Sequence, residues 1–195
     1  MGNKKVMANY NKLRGFTLPE MMITLGMISI ILSMAVPSVS NMIRDNKLTT
    51  HLNNVVMDVH FARSEAVKRD VRVIICRSTT VAATVPACGG TNYDWSTGYI
   101  IFADDGRYLN NTYDAATDTL LRRGMPSDAD VRLRTNDNWN DNLEINPNGS
   151  TNGGGMAVMS LCDDRGTDYG KQIQVTNNGI PKLFAGNISD CTPGT

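Results

Sequence analysis

The 195-residue sequence has only two histidines, His51 and His60, and none of its four cysteines falls in a C-x-x-C pair. A zinc site therefore lacks its usual ligand spacing. On a helix the two histidines would lie on opposite faces, and neither has an H-x-x-x-H partner. There is no G-x-S-x-G nucleophile elbow and no phosphate-binding glycine loop. Gly153-Gly154-Gly155 follows Asn-rich sequence and precedes a strand, so it reads as a turn. No catalytic constellation assembles, and neither an enzyme nor a cofactor is expected. Charge is also missing from one long stretch, because the twenty residues Met21 to Ser40 carry none.

What is present begins at the N-terminus. Lys4, Lys5, Lys12 and Arg14 form a basic flank without an acid, the kind retained on the cytoplasmic side of a membrane. The whole chain has zero formal charge, so removal of residues 1–15 would leave 0 − 4 = −4. A net-acidic body is not steered as a whole toward nucleic acid or anionic lipid. The composition, 41% hydrophobic and 19% charged, suits a folded protein, and the length suits one domain with appendages or at most two small domains. As a helix, the uncharged run would span about 30 Å, enough to cross a bilayer core. Glu20 sits just inside this apolar segment, where a lone carboxylate is costly and should find a partner.

Gly15-Phe16-Thr17-Leu18-Pro19-Glu20 resembles the prepilin peptidase motif of type IV pilins and type II secretion pseudopilins. The resemblance implies cleavage between Gly15 and Phe16 by a prepilin peptidase and N-methylation of Phe16. It also implies that Glu20 neutralises the new N-terminal ammonium of a neighbouring subunit. Pro19 departs from the commoner aliphatic residue, but the first helical turn tolerates proline. Pro37 resembles the proline at which pilin helices kink or melt on packing into a filament. A plain signal anchor, or a secretory signal cut near Ser33-Met34-Ala35, would also fit the apolar run. Both leave the hexapeptide unexplained.

Beyond the anchor, Leu48, Leu52, Val55, Val59, Ala62 and Ala66 recur at helical spacing and form one apolar face, with Asn53, Asn54, Asp58, Arg63 and Lys68 off it. The helix is expected to continue to about Asp70. Short β-like runs follow at Val71–Arg77, Tyr99–Ala103, Thr119–Arg122, Val131–Arg134, Leu143–Ile145, Met156–Leu161, Lys171–Val175 and Ile180–Phe184. Asn148-Gly149 and Asn178-Gly179 are hairpin turn signals, and Pro181 places its strand at an edge or near its start. The fold class is α+β, with a long N-terminal helix, transmembrane and then amphipathic, packed on a mostly antiparallel sheet. The expected organisation is a leader over 1–15, a transmembrane segment over 16–40 and a head domain over 41–195.

The helix end Ala62–Arg69, the strand ending at Cys76, the Trp95–Asp105 stretch and the strand Met156–Cys162 together resemble the FimU, FimT and GspH group of minor pilins and pseudopilins. The resemblance implies a ladle-like pilin architecture. It also implies a place in the inner membrane with a periplasmic head, followed by extraction into a pilus. Other minor pilins and a major pilin would be its partners. FimT-like proteins take part in DNA uptake through a basic Gly-Arg-x-Arg turn. The matching turn here is Gly179-Ile180-Pro181-Lys182, with both arginines absent. Lys182 and the strand pair Arg132/Arg134 are the candidate DNA contacts, and Arg122-Arg123 is a further basic pair.

Three pairings of the four cysteines are possible in an oxidising compartment. Cys76–Cys88 and Cys162–Cys191 close the smaller loops and are the expected disulfides. Asp104-Asp105-Gly106, Asn136–Asn142 and Asp163-Asp164 are oxygen-rich, but none has the spacing of a calcium loop, so no metal is expected. The function expected is that of a minor pilin that primes or caps a type IV pilus. A DNA-binding competence pseudopilin and a type II secretion tip pseudopilin are the alternatives.

Overall fold

The computed structural model describes residues 15–91, 93–105, 111–124, 126–136, 139, 141–152, 156–185 and 188. The leader residues 1–14, the Gly153–Gly155 turn and Cys191 lie outside the described residues. Helix α1 runs over Leu18–Arg69, 52 residues, without a break at Pro37. Lys68 and Arg69 occupy its last turn, where cations suit the helix dipole, and Asp70 ends it in a left-handed conformation at φ 56°. Two compact units divide at Met42/Ile43.

Within the second unit, nine strands follow α1 among the described residues: β1 (Arg72–Arg77), β2 (Tyr99–Asp104), β3 (Thr119–Gly124), β4 (Arg132–Thr135), β5 (Asn142–Ile145), β6 (Thr151–Asn152), β7 (Ala157–Cys162), β8 (Lys171–Val175) and β9 (Pro181–Ala185). They form two sheets rather than one, in the orders β3-β2-β1-β5-β6 and β4-β7-β8-β9, and every pairing is antiparallel. Each expected run is a strand within about two residues, while the two-residue β6 carried too little pattern to be seen. Both Asn-Gly signals are hairpin turns, with Gly149 at φ 79° and Gly179 at φ 68°, the conformation glycine adopts without strain.

The expected helix face is the core stripe, for Leu48, Leu52, Val55, Val59, Ala62 and Ala66 are all buried. Val73, Ile75, Ile101, Leu143 and Ile145 from the first sheet and Leu133, Met159, Leu161, Ile173 and Val175 from the second pack in the same cluster. Trp95 and Trp139 pack beside them with tilted rings, centroids 5.5 Å apart. Strands β1 and β2 are buried on both faces, which is why they read as unbroken apolar runs. Their outer face, Ile74, Cys76, Ile100 and Phe102, is covered by Cys88 and Tyr113. The Cys76–Cys88 disulfide, Cα–Cα 5.6 Å, pins that cover. Cys162 is also disulfide-bonded.

Asp58 corrects the helix reading. It lies off the apolar stripe in sequence, yet it is buried, accepting the Tyr99 hydroxyl at 2.6 Å and Arg122 Nη1 at 2.8 Å. Burial pushes its carboxyl above the ordinary 3.8, against the lowering effects of Tyr99 and Arg122. The Tyr99 hydroxyl is likewise pushed well up, by burial first and then by the Asp58 charge. Gly124 faces this ring across the β2–β3 ladder, and a Cβ there would run into it. A second charged joint lies across β1, where Arg72 bonds both Asp104 and, at 3.0 Å, Glu144. All three side chains are at most 13% exposed, so removing the cation would strand two acids.

Two measurements check these joints. A carboxyl whose folded value is raised favours folding below its unfolded value, and this contribution is lost as pH rises through the folded one. The melting temperature of Asp58→Asn relative to wild type should therefore rise from about pH 3.5 toward neutrality. Tyr99→Phe, which leaves the buried acid with one donor fewer, should cost about 1–3 kcal/mol in urea unfolding at neutral pH. Arg72→Met should cost about 3–5 kcal/mol, with part recovered by adding Glu144→Gln.

Candidate assembly and recognition surfaces

The N-terminal unit presents an apolar surface with no cover of its own. Every side chain described from Gly15 to Ile43 is exposed, Phe16 to 77%. The hydropathy of this stretch, a mean of 2.0 over its most apolar window, makes it long and apolar enough to cross a membrane. Three of its hydroxyls are turned inward on the backbone: Thr24, Ser29 and Ser33 donate to the carbonyls of Met21, Gly26 and Ile30. These three are thereby satisfied without water. Thr17, Pro19 and Glu20 form the helix entry. The Glu20 carboxylate accepts the Thr17 N–H at 3.4 Å, one half of a capping box, and Pro19 contributes no N–H to be left unpaired. One carboxylate oxygen remains without a hydrogen-bond partner on this helix.

The second candidate surface is the outward face of the β4-β7-β8-β9 sheet. Cross-strand register puts Arg134, Ser160, Gln172 and Phe184 in one row, and Val158, Gln174 and Lys182 in the next. Arg132 lies opposite Cys162 on the same side. The three candidate DNA contacts thus share one face that carries no acid among these strands, though β4 and β9 are three strand spacings apart, about 14 Å. Arg134 is only 14% exposed and leans on Asp94 at 3.7 Å. Arg132 and Lys182 remain exposed. Gln174 donates to Gln172, and Gln172 to Ser160, at 3.0 and 3.4 Å, so the middle of the face is a polar ladder.

The pair Arg122-Arg123 is not a free basic patch. Arg122 is taken by Asp58 and lies 5.3 Å over the Phe61 ring. Arg123 donates to the carbonyls of Val81, Ala83 and Thr84, closing the loop after β1. Both line a cleft of about 230 Å³ beside Asp58, with His51 on its wall. His51 Nε2 accepts the Asp128 N–H at 3.3 Å, while His60 is exposed. The cleft therefore has few free donors for a ligand. The oxygen-rich loops are likewise engaged, since Arg165 binds Asp163 and Arg44 binds Asp164 at 2.7 and 2.9 Å. No metal-binding cluster occurs among the described residues.

Arg63, set aside as an off-face helix residue, was missed. Its Nε donates to the Gly149 carbonyl at 3.2 Å, and its side chain packs against Gly179. A Cβ at either glycine would strike this guanidinium or the facing turn. The two Asn-Gly turns, one from each sheet, meet there, joined by the Thr151 N–H donating to the Asn177 carbonyl at 2.9 Å. The paired Asn-Gly signals could have hinted at a common dock, but nothing local in sequence names its helix residue.

Residues 51–179 match the family described as type II transport protein GspH, and residues 10–36 match the prokaryotic N-terminal methylation motif. No curated protein sequence matches the chain. Among solved structures it is similar to the type IV minor pilin FimU of Pseudomonas aeruginosa in two crystal forms. One superposes with a TM-score of 0.54 at 20% identity, covering 71% of this chain and 89% of that one. The other gives 0.51 at 19% identity, with 70% and 92% covered. These likenesses speak for the fold, while the family match spans more than half of the chain. The chain belongs to the GspH family of minor pilins and pseudopilins.

Proposed function

We propose that the chain is a minor pilin, a structural subunit that primes or caps a type IV pilus after a prepilin peptidase has removed residues 1–15. The observation that carries this reading is the placement of Glu20, a carboxylate with one oxygen free on a helix entry whose whole surroundings are exposed and apolar. Cleavage after Gly15 and methylation of Phe16 would place an ammonium at the start of each mature chain. In a dry filament core, such an ammonium and a Glu20 from a neighbour cancel charges that are each costly alone. Other minor pilins and the major pilin are the partners, and the apolar helix is the shared contact. The head, from residue 41 onward, resides in the periplasm before extraction into the pilus.

Two alternatives each have one observation in their favour. Tip-region membership in a type II secretion system is supported by the name of the matching family. DNA binding as a competence pseudopilin is supported by Arg132, Arg134 and Lys182 sharing one acid-free sheet face. With Arg134 already leaning on Asp94, that surface has fewer free cations than its composition suggests, and phosphate affinity grows with their number.

Mass spectrometry of the mature protein should find N-methylated Phe16 at its start, and Gly15→Val should abolish that product. Glu20→Ala should lower recovery in sheared pili by about tenfold, the equivalent of ~1.4 kcal/mol, with the head still folded. Normal recovery would refute the charge pairing. Loss of a secreted protein with pili intact, on deletion of the gene, would instead favour the secretion role. For DNA, the purified chain should retard duplex at low salt, with Lys182→Ala and Arg132→Ala each weakening it. No retardation would remove that alternative.

A further inference from the structure

The apolar stripe begins at Leu48, the first buried residue of α1, while Met42 and Ile43 just before it are 65% and 53% exposed. Residues 44–47 make up the single turn between. None of them is buried, yet three of the four carry charge, in the order Arg44, Asp45, Lys47. Two loops of the head meet this turn with complementary charges, Asp128 and Asp130 before β4 and Asp163-Asp164-Arg165 after β7. Register explains why they arrive together. Arg132 at the start of β4 pairs with Cys162 at the end of β7, and Leu161 pairs with Lys171 at the start of β8. Both loops therefore leave the same end of the second sheet.

Each charge on the turn finds its counterpart. Arg44 Nη1 donates to both oxygens of Asp164, at 2.9 and 3.2 Å. Asp45 accepts Arg165 Nη2 at 2.7 Å, and Lys47 Nζ stands 3.6 Å from Asp128 and 3.5 Å from Asp130. Arg165 is itself fixed by two bonds to the buried Asp163, at 2.7 and 2.9 Å, and by the Tyr169 ring 4.6 Å from its guanidinium. In the next turn the Lys171 ammonium donates to the Thr49 hydroxyl, and His51 accepts the Asp128 N–H. The pairs on Arg44 and Lys47 are at least 39% exposed on both sides. Pairs this wet hold weakly, and salt weakens them further, whereas the stripe from Leu48 onward is dry and does not depend on charge.

We propose that this turn is a clasp, held by charge, that sets how much of α1 the head keeps helical. Shut, it fixes the helix from Arg44 onward. Open, it releases residues 44–47, and the fixed part begins at Leu48. Four residues span about 6 Å as helix and about 13 Å when extended, so opening adds about 7 Å of chain between the apolar segment and the core. The core is not disturbed in the process, because the turn contributes no residue to its cluster. Arg165 keeps its hold on Asp163 in both states and stays placed to take Asp45 again. The clasp is thus a reversible spacer whose setting follows ionic strength.

Hydrogen exchange read by mass spectrometry on the full chain in detergent micelles tests this. The reporters are the amides of residues 48–51, whose helical hydrogen bonds end on the carbonyls of residues 44–47. Asp164→Lys lies on the loop, leaves the helix sequence untouched and turns the attraction of Arg44 into repulsion. The reporter amides should then exchange about fivefold faster at low salt, while those of β7 and β8 keep their wild-type rates. Adding Arg44→Glu, which restores opposite charges at near-equal helix propensity, should return them to wild type. In the wild type, about 1 M salt should produce the same acceleration, and Asp164→Lys should then add little. Unchanged exchange at 48–51, in Asp164→Lys or at high salt, overturns the proposal. So does acceleration shared equally by β7 and β8, the mark of a weakened head, or failure of the charge swap to restore protection.

Discussion

The apolar stripe of α1 between Leu48 and Ala66 is the constraint from which the head follows. It is buried along its length, with the small Ala62 and Ala66 toward one end and the larger Leu48 and Leu52 toward the other. Two antiparallel sheets share it, and their inner residues enter a single cluster with the helix. The small residues toward its end also leave room for Arg63 to reach the turns of both sheets. Once the stripe is covered, the outer surfaces are left to serve other ends. One is closed by a disulfide-pinned loop, and the other stays open as a polar sheet face.

Much of this was legible in the residues. The stripe, the strands and both Asn-Gly turns follow from periodicity and turn chemistry, which are local properties. The Gly15–Glu20 motif is equally local, and its match to the methylation motif needed no tertiary information. Asp58, Arg63 and Arg122 were misjudged for one shared reason. A charged residue looks solvated in sequence, and only the fold brings Tyr99 beside Asp58, or Gly149 beneath Arg63. The division into two sheets was hidden likewise, since nothing in a strand's own pattern says which sheet it joins.

The outward sheet face illustrates how placement changes the meaning of charge. Arg132, Arg134 and Lys182 are distant in sequence, and register brings them to one side. Placement also takes Arg122 and Arg123 out of consideration by assigning them to a carboxylate and to carbonyls. A count of basic residues sees neither the shared face of the first group nor the buried partners of the second.

The meeting of the two glycine turns on Arg63 has a mechanical consequence. Arg63 stands near the C-terminal end of α1, and each turn it touches closes a hairpin of a different sheet. One polar side chain thereby ties the helix to both sheets, in addition to the apolar stripe they share. Drawing either hairpin away from the helix breaks its hold on Arg63 and disturbs the turn of the other sheet, which rests on the same guanidinium.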